Sequence, residues 1–164
     1  MRQGFLFLAA FLIGLGAATA AELKVGAPAP DFSTVDEQGR PVSLKDFRGK
    51  AVVLYFYPKD DTPGCTVQAQ SFRDHYGEFQ NLETVVLGVS FDSQESHKKF
   101  KDKHGLPFPL LVDADRKIAQ AYGVKGTFFA SRDVIVIDAD GKIAKILRSV
   151  NPSDVVGILL KDAK

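Results

Sequence analysis

The chain has 164 residues, 45% of them apolar and 25% charged, with a formal net charge of +1. That length suits one domain with a sizeable core. The near balance of 21 basic and 20 acidic residues excludes a surface built on bulk charge for nucleic acid or other polyanions. Cys65 is the only cysteine, so no disulfide can form within one chain.

Residues 1–20 are expected to lie outside the fold. Arg2 gives a short positive segment. Residues 5–18 are a continuous apolar and small-residue run, short of the roughly 20 residues of a membrane span. Ala18-Thr19-Ala20 has the A-x-A form of a cleavage site, the pattern of a secretory signal peptide. The expected domain is therefore 21–164, exported to a bacterial periplasm and without stable membrane association after cleavage. Oxidising compartments favour disulfides, so one unpaired thiol there points to reactivity or intermolecular pairing.

Residues 31–35 and 41–44 read as a short hairpin around Gly39, and 45–50 as a turn carrying Gly49. Residues 51–57, AVVLYFY, read as a buried strand stopped by Pro58. A polar turn over 59–64 leads into a helix expected from about Thr66 to Phe79. Ala69, Phe72, Tyr76 and Phe79 mark its buried face. Cys65, four residues before Ala69, falls on that face in the first turn. Free N–H groups and the positive end of the helix dipole favour a thiolate there, which is the nucleophilic form of the side chain. Thr62 lies three residues upstream, where a turn brings its hydroxyl alongside the sulfur. Pro58 and Pro63 stiffen the approach and remove two backbone donors.

Residues 83–91 read as a second strand. Asp92, with Glu95 three residues on, is the expected cap of a helix running to about Lys103. That helix has little but Phe100 to bury, so it is expected on the surface. Its His97 and His104 share a face roughly 10 Å apart and read as solvated, as does His75. None has a partner at metal-ligand spacing. A strand over 107–112, a helix over 113–122 ended by Gly123, and a loop over 124–131 follow. Strands over 134–137 and 142–147 flank an Asp-Ala-Asp-Gly hairpin turn. Asn151-Pro152 supplies the cap and first-turn proline of a last helix over 152–161. The class is α/β, a mixed β-sheet flanked by helices.

The run YFYPKDDTPGCT carries P-x-x-x-T-x-x-C at Pro58, Thr62 and Cys65. It resembles the peroxiredoxins, in particular the bacterioferritin comigratory protein (Q-type) branch, and the likeness extends over nearly all of 21–164. The resemblance implies a thioredoxin-like fold and thiol-dependent peroxidase activity on hydrogen peroxide and organic hydroperoxides through Cys65. It also implies a Thr62 hydrogen bond to the bound peroxide and shielding of the sulfur by Pro58. Arg132, opening RDVIVIDADG, stands where that family has its active-site arginine, which would hold the thiolate and polarise the peroxide. By itself, Arg132-Asp133 also reads as a surface ion pair. Backbone N–H groups near Gly64 and Cys65 would join Thr62 and Arg132 in binding substrate.

Tyr57, Gln68, Phe128 and Phe129 are further pocket candidates. The Gln68 amide can hydrogen-bond but carries no charge. Phe128 and Phe129 read first as packing, and otherwise as an apolar collar or a contact patch for a partner. Many relatives carry a resolving cysteine five residues after the first, where this chain has Gln70. A one-cysteine variant follows, its sulfenic acid cleared by an external thiol: a thioredoxin-like protein, glutaredoxin with glutathione, or a small thiol. No metal, haem or flavin is implied. The rival is an exported redox sensor or binding protein that uses Cys65 stoichiometrically, and turnover with a reductant separates the two.

Overall fold

The computed structural model describes residues 23–163, so the signal-peptide reading of 1–20 falls outside the described residues. The chain opens with an antiparallel hairpin, β1 (Ser33–Val35) and β2 (Pro41–Ser43). Gly39 takes φ +76° in its turn, a left-handed conformation that glycine adopts freely. The buried Asp36 carboxylate accepts the N–H groups of Gln38 and Arg40 and the Arg40 guanidinium. A 3-10 turn, Leu44–Phe47, leads to β3 (Ala51–Phe56).

Strand β3 is the middle of a five-stranded mixed sheet. On one side it pairs in parallel with β4 (Thr84–Ser90), which pairs in parallel with β5 (Leu110–Val112). On the other it pairs antiparallel with β6 (Val134–Ile137), which pairs antiparallel with β7 (Ile143–Leu147). The alternation of β3 divides the core. Val52, Leu54 and Phe56 pack on one face with the hairpin and with α4 (Lys117–Ala121). Val53, Tyr55 and Tyr57 pack on the other. There they meet residues of α1 (Pro63–Asp74), α2 (Tyr76–Asn81), α3 (Gln94–His104) and α5 (Val155–Asp162).

Several boundaries differ from the sequence expectation for identifiable reasons. The helix expected from Thr66 starts at Pro63, whose fixed φ suits the first helical position. It breaks at His75 (φ −106°, ψ 12°), whose Nδ1 lies 2.9 Å from the Ser71 carbonyl, so 66–79 is two helices. Ser93, not Asp92, caps α3. Asp92 Oδ2 instead accepts the Ser90 hydroxyl and the Asp60 N–H. Strand β5 is shorter than 107–112 because Pro107 and Pro109 have no N–H to give a ladder. Helix α4 is shorter than 113–122: the Asp113 carboxylate lies ahead of it and accepts the N–H groups of Ile118 and Ala119. Pro152 lies in the turn before α5, with Asn151 Oδ1 accepting the Ser153 N–H.

The most consequential correction concerns α3. It is not a solvated helix with one buried residue: His97 is fully buried beside Phe100, and His104 is only partly exposed. His75 is exposed, as expected.

Candidate active site

The carboxyl end of β3 hands the chain to a turn at Pro58–Asp61 and then to α1. Thr62 is the N-cap residue, Pro63 is first in the helix, and Cys65 lies in the first turn. Threonine is a common capping residue, yet this one makes no side-chain cap. Its hydroxyl donates to the Lys59 carbonyl at 3.0 Å, and its carbonyl accepts the Thr66 N–H. An α-helix gives its first N–H groups no intrahelical acceptor, and Pro63 has none to give. Those of Gly64 and Cys65 therefore open toward the turn.

Cys65 is 1% exposed and belongs to the core cluster that also holds Tyr55, Tyr57, Ala69, Phe72 and Val155. Arg132 reaches it from 67 residues away. Strand β6 runs antiparallel to β3, with Val134 opposite Tyr55 and the Phe56 N–H bonded to the Asp133 carbonyl at 2.8 Å. The amino end of β6 thus meets the carboxyl end of β3, and Arg132 lies beside the start of α1. Its Nη2 donates to Cys65 Sγ at 3.4 Å and its Nη1 to Gln68 Oε1 at 2.7 Å. Gln68, one helical turn after Cys65, is fully buried. A guanidinium only donates, so the amide oxygen must face Arg132. The Gln68 Nε2 is left buried without a partner.

The surface-ion-pair reading of Arg132-Asp133 fails. Neighbours in extended backbone point to opposite sides. Asp133 is buried and accepts from Arg148 Nη1 at 2.8 Å and from the Ser149 N–H at 2.9 Å. Gly64 is also explained by the arginine: a Cβ there would stand 3.2 Å from Arg132 Nη2.

Pro58 is partly buried at the head of the turn. Tyr57 packs in the same apolar cluster as Cys65, but its hydroxyl donates to Asp60 Oδ1 at 2.6 Å. Phe128 and Phe129 are 82% and 52% exposed, so packing does not account for them. Their loop turns tightly at Gly126 (φ +138°), where a Cβ would fall 1.9 Å from the Phe129 carbonyl oxygen. Lys59 Nζ lies 5.5 Å from the Phe129 ring centroid, so this loop borders the catalytic turn.

Four residues near the turn have no role in the sequence reading: Asp60, Asp61, His97 and His104. The two acids precede Thr62 directly, the only local hint. Nothing in the α3 pattern marks the histidines.

Comparison with known proteins agrees with this geometry. Residues 25–146 match the AhpC/TSA family. The chain is 44% identical over 150 residues to peroxiredoxin Bcp of Bacillus subtilis, covering 87% of this chain and 96% of that one. It is 46% identical over 126 residues to the chloroplastic peroxiredoxin Q of Sedum lineare, covering 75% and 68% respectively. Among solved structures it is similar to peroxidoxin BcpB from Mycobacterium tuberculosis, with a TM-score of 0.81, 32% identity, and 86% and 96% of the two chains covered. A bacterioferritin comigratory protein structure from Xanthomonas campestris gives a TM-score of 0.79 at 30% identity, covering 86% and 95%. The mixed sheet flanked by helices is thus the thioredoxin-like fold of these proteins. With family match, fold and the Cys65–Arg132 pairing in agreement, this chain belongs to the AhpC/TSA family, in its Bcp/peroxiredoxin Q branch, and is a thiol peroxidase.

Proposed function

We infer that the protein reduces hydrogen peroxide and organic hydroperoxides by a one-cysteine cycle. The carrying observation is the Arg132 guanidinium 3.4 Å from the chain's sole thiol. The Cys65 thiolate attacks the terminal peroxide oxygen. An S–O bond forms, the O–O bond breaks, and the departing oxygen takes a proton to leave as water or an alcohol. Arg132 and the N–H groups of Gly64 and Cys65 stabilise charge growing on the two oxygens. The Thr62 hydrogen is directed at Lys59, which leaves its oxygen free to accept a hydroperoxide O–H. The role assigned to Pro58, partly buried at the head of the turn, is to shield the sulfur from water.

An external thiol then attacks the sulfenic sulfur, releasing water and forming a mixed disulfide. A second thiol displaces Cys65 and carries off the disulfide. The exposed Phe128 and Phe129, bordered by Lys59, are a contact patch for a protein thiol donor. Replacing both by Ala is expected to raise the KM for a thioredoxin-like reductant several-fold, at an unchanged rate of Cys65 oxidation. Equal changes in both steps would exclude that role.

The deciding experiment is peroxide consumption by residues 21–164 with thioredoxin-like, glutaredoxin–glutathione and small-thiol reductants, with Cys65→Ser as control. Repeated turnover supports the cycle. One oxidation equivalent per chain under every reductant makes Cys65 a sensor. Export to a bacterial periplasm is proposed on the character of residues 1–20, and among the described residues no helix is long and apolar enough to cross a membrane. An unprocessed N-terminus in cytoplasmic fractions would contradict it.

A further inference from the structure

A buried polar cluster between β3 and α3 has no part in the peroxide chemistry. Tyr57 is 1% exposed, and its hydroxyl donates to Asp60 Oδ1 at 2.6 Å. The same hydroxyl lies 3.3 Å from His97 Nδ1. Asp60 Oδ2 accepts the Ser96 hydroxyl at 2.7 Å and faces His97 Nδ1 at 2.8 Å. His97 Nε2 lies 3.1 Å from the Leu111 carbonyl, and a carbonyl only accepts, so this nitrogen carries a hydrogen. Asp60 is thus a carboxyl group fixed by its neighbours with one oxygen turned to a phenol.

The chain has four tyrosines, and among the described residues only Tyr57 gives its hydroxyl to a carboxylate. Tyr122 donates to the Pro30 carbonyl at 2.7 Å, and the Tyr55 hydroxyl is buried without a partner. Tyr76 is partly exposed, with its ring against Phe108. Burial, then the Asp60 charge, holds the Tyr57 pKa well above the ordinary phenol value, so the side chain stays protonated. An electron leaves a buried phenol readily only if its proton leaves too, and Asp60 Oδ1 stands in line to take it.

The sequence narrows where an oxidising equivalent can settle. Residues 23–163 contain no methionine and no tryptophan, which leaves Cys65 and the tyrosines as the most easily oxidised side chains. Tyr57 belongs to the same buried cluster as Cys65, and its ring stacks on Tyr55 with centroids 5.5 Å apart. A phenol with its own base therefore lies within short electron-transfer range of the sole thiol.

We propose that Tyr57, with Asp60 as its proton acceptor, is a redox-active tyrosine that restores Cys65 after attack by one-electron oxidants. A carbonate radical anion takes one electron from the Cys65 thiolate, leaving carbonate and a thiyl radical. Tyr57 then passes an electron to the sulfur and its proton to Asp60. The thiolate returns, and a phenoxyl radical remains beside a protonated carboxyl group. An external one-electron donor such as ascorbate reduces the phenoxyl, and the proton goes back from Asp60 to the phenol oxygen. Ascorbate leaves as its own radical after releasing a proton to water. None of these steps uses a peroxide or a sulfenic acid, so the activity is separate from the one-cysteine cycle.

The test exposes reduced protein to carbonate radicals generated by a light flash, then freezes it for electron paramagnetic resonance. The parent should give a phenoxyl spectrum. Its yield should fall about tenfold in Tyr57→Phe, and as far in Asp60→Asn, which offers the hydroxyl an oxygen but no base. Cys65→Ser should lose the signal too, because the oxidising equivalent arrives through the sulfur. Tyr76→Phe should keep it. A second measurement repeats the exposure with ascorbate present and counts surviving Cys65 thiols after unfolding, each variant against its own unexposed sample. Tyr57→Phe should lose the thiol several-fold faster than the parent. If Asp60→Asn does not fold, the parent in heavy water replaces it, where phenoxyl formation should slow because a proton moves in the same step. A phenoxyl signal that persists in Tyr57→Phe or in Cys65→Ser, or equal thiol loss in Tyr57→Phe and the parent, would overturn the proposal. Counting thiols needs no peroxidase turnover, so failure of the one-cysteine cycle would leave this result readable.

Discussion

At the scale of single residues, the site is a contest for one guanidinium. Arg132 divides its donors between Cys65 and Gln68, a two-point grip that an ammonium cannot reproduce. Arg132→Lys is expected to slow Cys65 oxidation on the order of a hundredfold with little change in thermal midpoint, measured by competition kinetics and calorimetry. Gln68→Met keeps the side-chain volume and removes a buried amide whose nitrogen has no partner. Its stability should stay within about 1 kcal/mol of the parent. Peroxide reactivity should still fall about tenfold, because the guanidinium loses the group that aims it. If oxidation is as fast in Gln68→Met as in the parent, Gln68 does not aim Arg132. Gly64→Ala should act in the same direction, since its methyl would crowd Nη2 at 3.2 Å.

At the scale of elements, β3 and β4 carry a local conflict. The Tyr55 hydroxyl is buried without a partner, and burial, then the nearby Asp60, holds its pKa well above the ordinary phenol value. It has room only because Gly88 faces it across the β3–β4 pair: a Cβ there would meet the hydroxyl and Leu110 Cδ2, each at 2.7 Å. Tyr55→Phe should stabilise the protein by about 1 kcal/mol, by removing an unpaired polar group. Gly88→Ala should destabilise it by about 1–3 kcal/mol through overpacking. Urea unfolding of the two variants reads both signs, and a destabilised Tyr55→Phe would mean that the hydroxyl has a partner after all. Much at this scale was legible in the sequence. The β3 run, the Pro58 stop, the hairpin around 138–141 and the helical face at Ala69 and Phe72 are all local patterns. The break at His75 was not, because Tyr76 and Phe79 continue the apolar spacing through it.

At the scale of the whole molecule, buried and paired acids set the response to pH. Burial alone would raise the Asp36 pKa, but its bonds from Arg40 and Gln38 outweigh that and hold it below the usual carboxylate range. Lys103, then His104, hold Asp61 below it as well. For both, the folded state keeps the charge longer than the unfolded chain. Their stabilising contribution is complete above the unfolded value of about 3.9 and is lost as pH falls below it. Asp113 runs the other way: burial raises its pKa despite the N–H bonds from Ala119 and Ile118. The folded state therefore takes up that proton first, and acidification above about pH 4 adds stability at this site. The urea midpoint should stay level or rise slightly down to about pH 4 and drop below it, and Asp36→Asn should flatten the drop. A midpoint declining steadily from neutral pH would contradict this assignment.

Sequence alone determined the unit that bears the nucleophile. An apolar strand, a proline stop, and a cysteine at the head of a helical pattern are short-range features, and the motif over Pro58, Thr62 and Cys65 supplied the family. The same resemblance pointed to Arg132 as the cation at the sulfur, but the residues by themselves read it equally as a surface ion pair, and they did not show which histidines are buried. Arg132 adjoins Asp133 in the chain and Arg148 lies 15 residues on, yet the antiparallel register of β6 on β3 sends the neighbour to Cys65, while Asp133 takes the distant one. His97 looks solvated on a helix with one phenylalanine, until the turn from the end of β3 closes over it and brings Asp60 to its ring. Such pairings depend on contacts 15 to 67 residues apart. Local periodicity says nothing about them, because the groups that bury or neutralise a side chain there come from other parts of the fold.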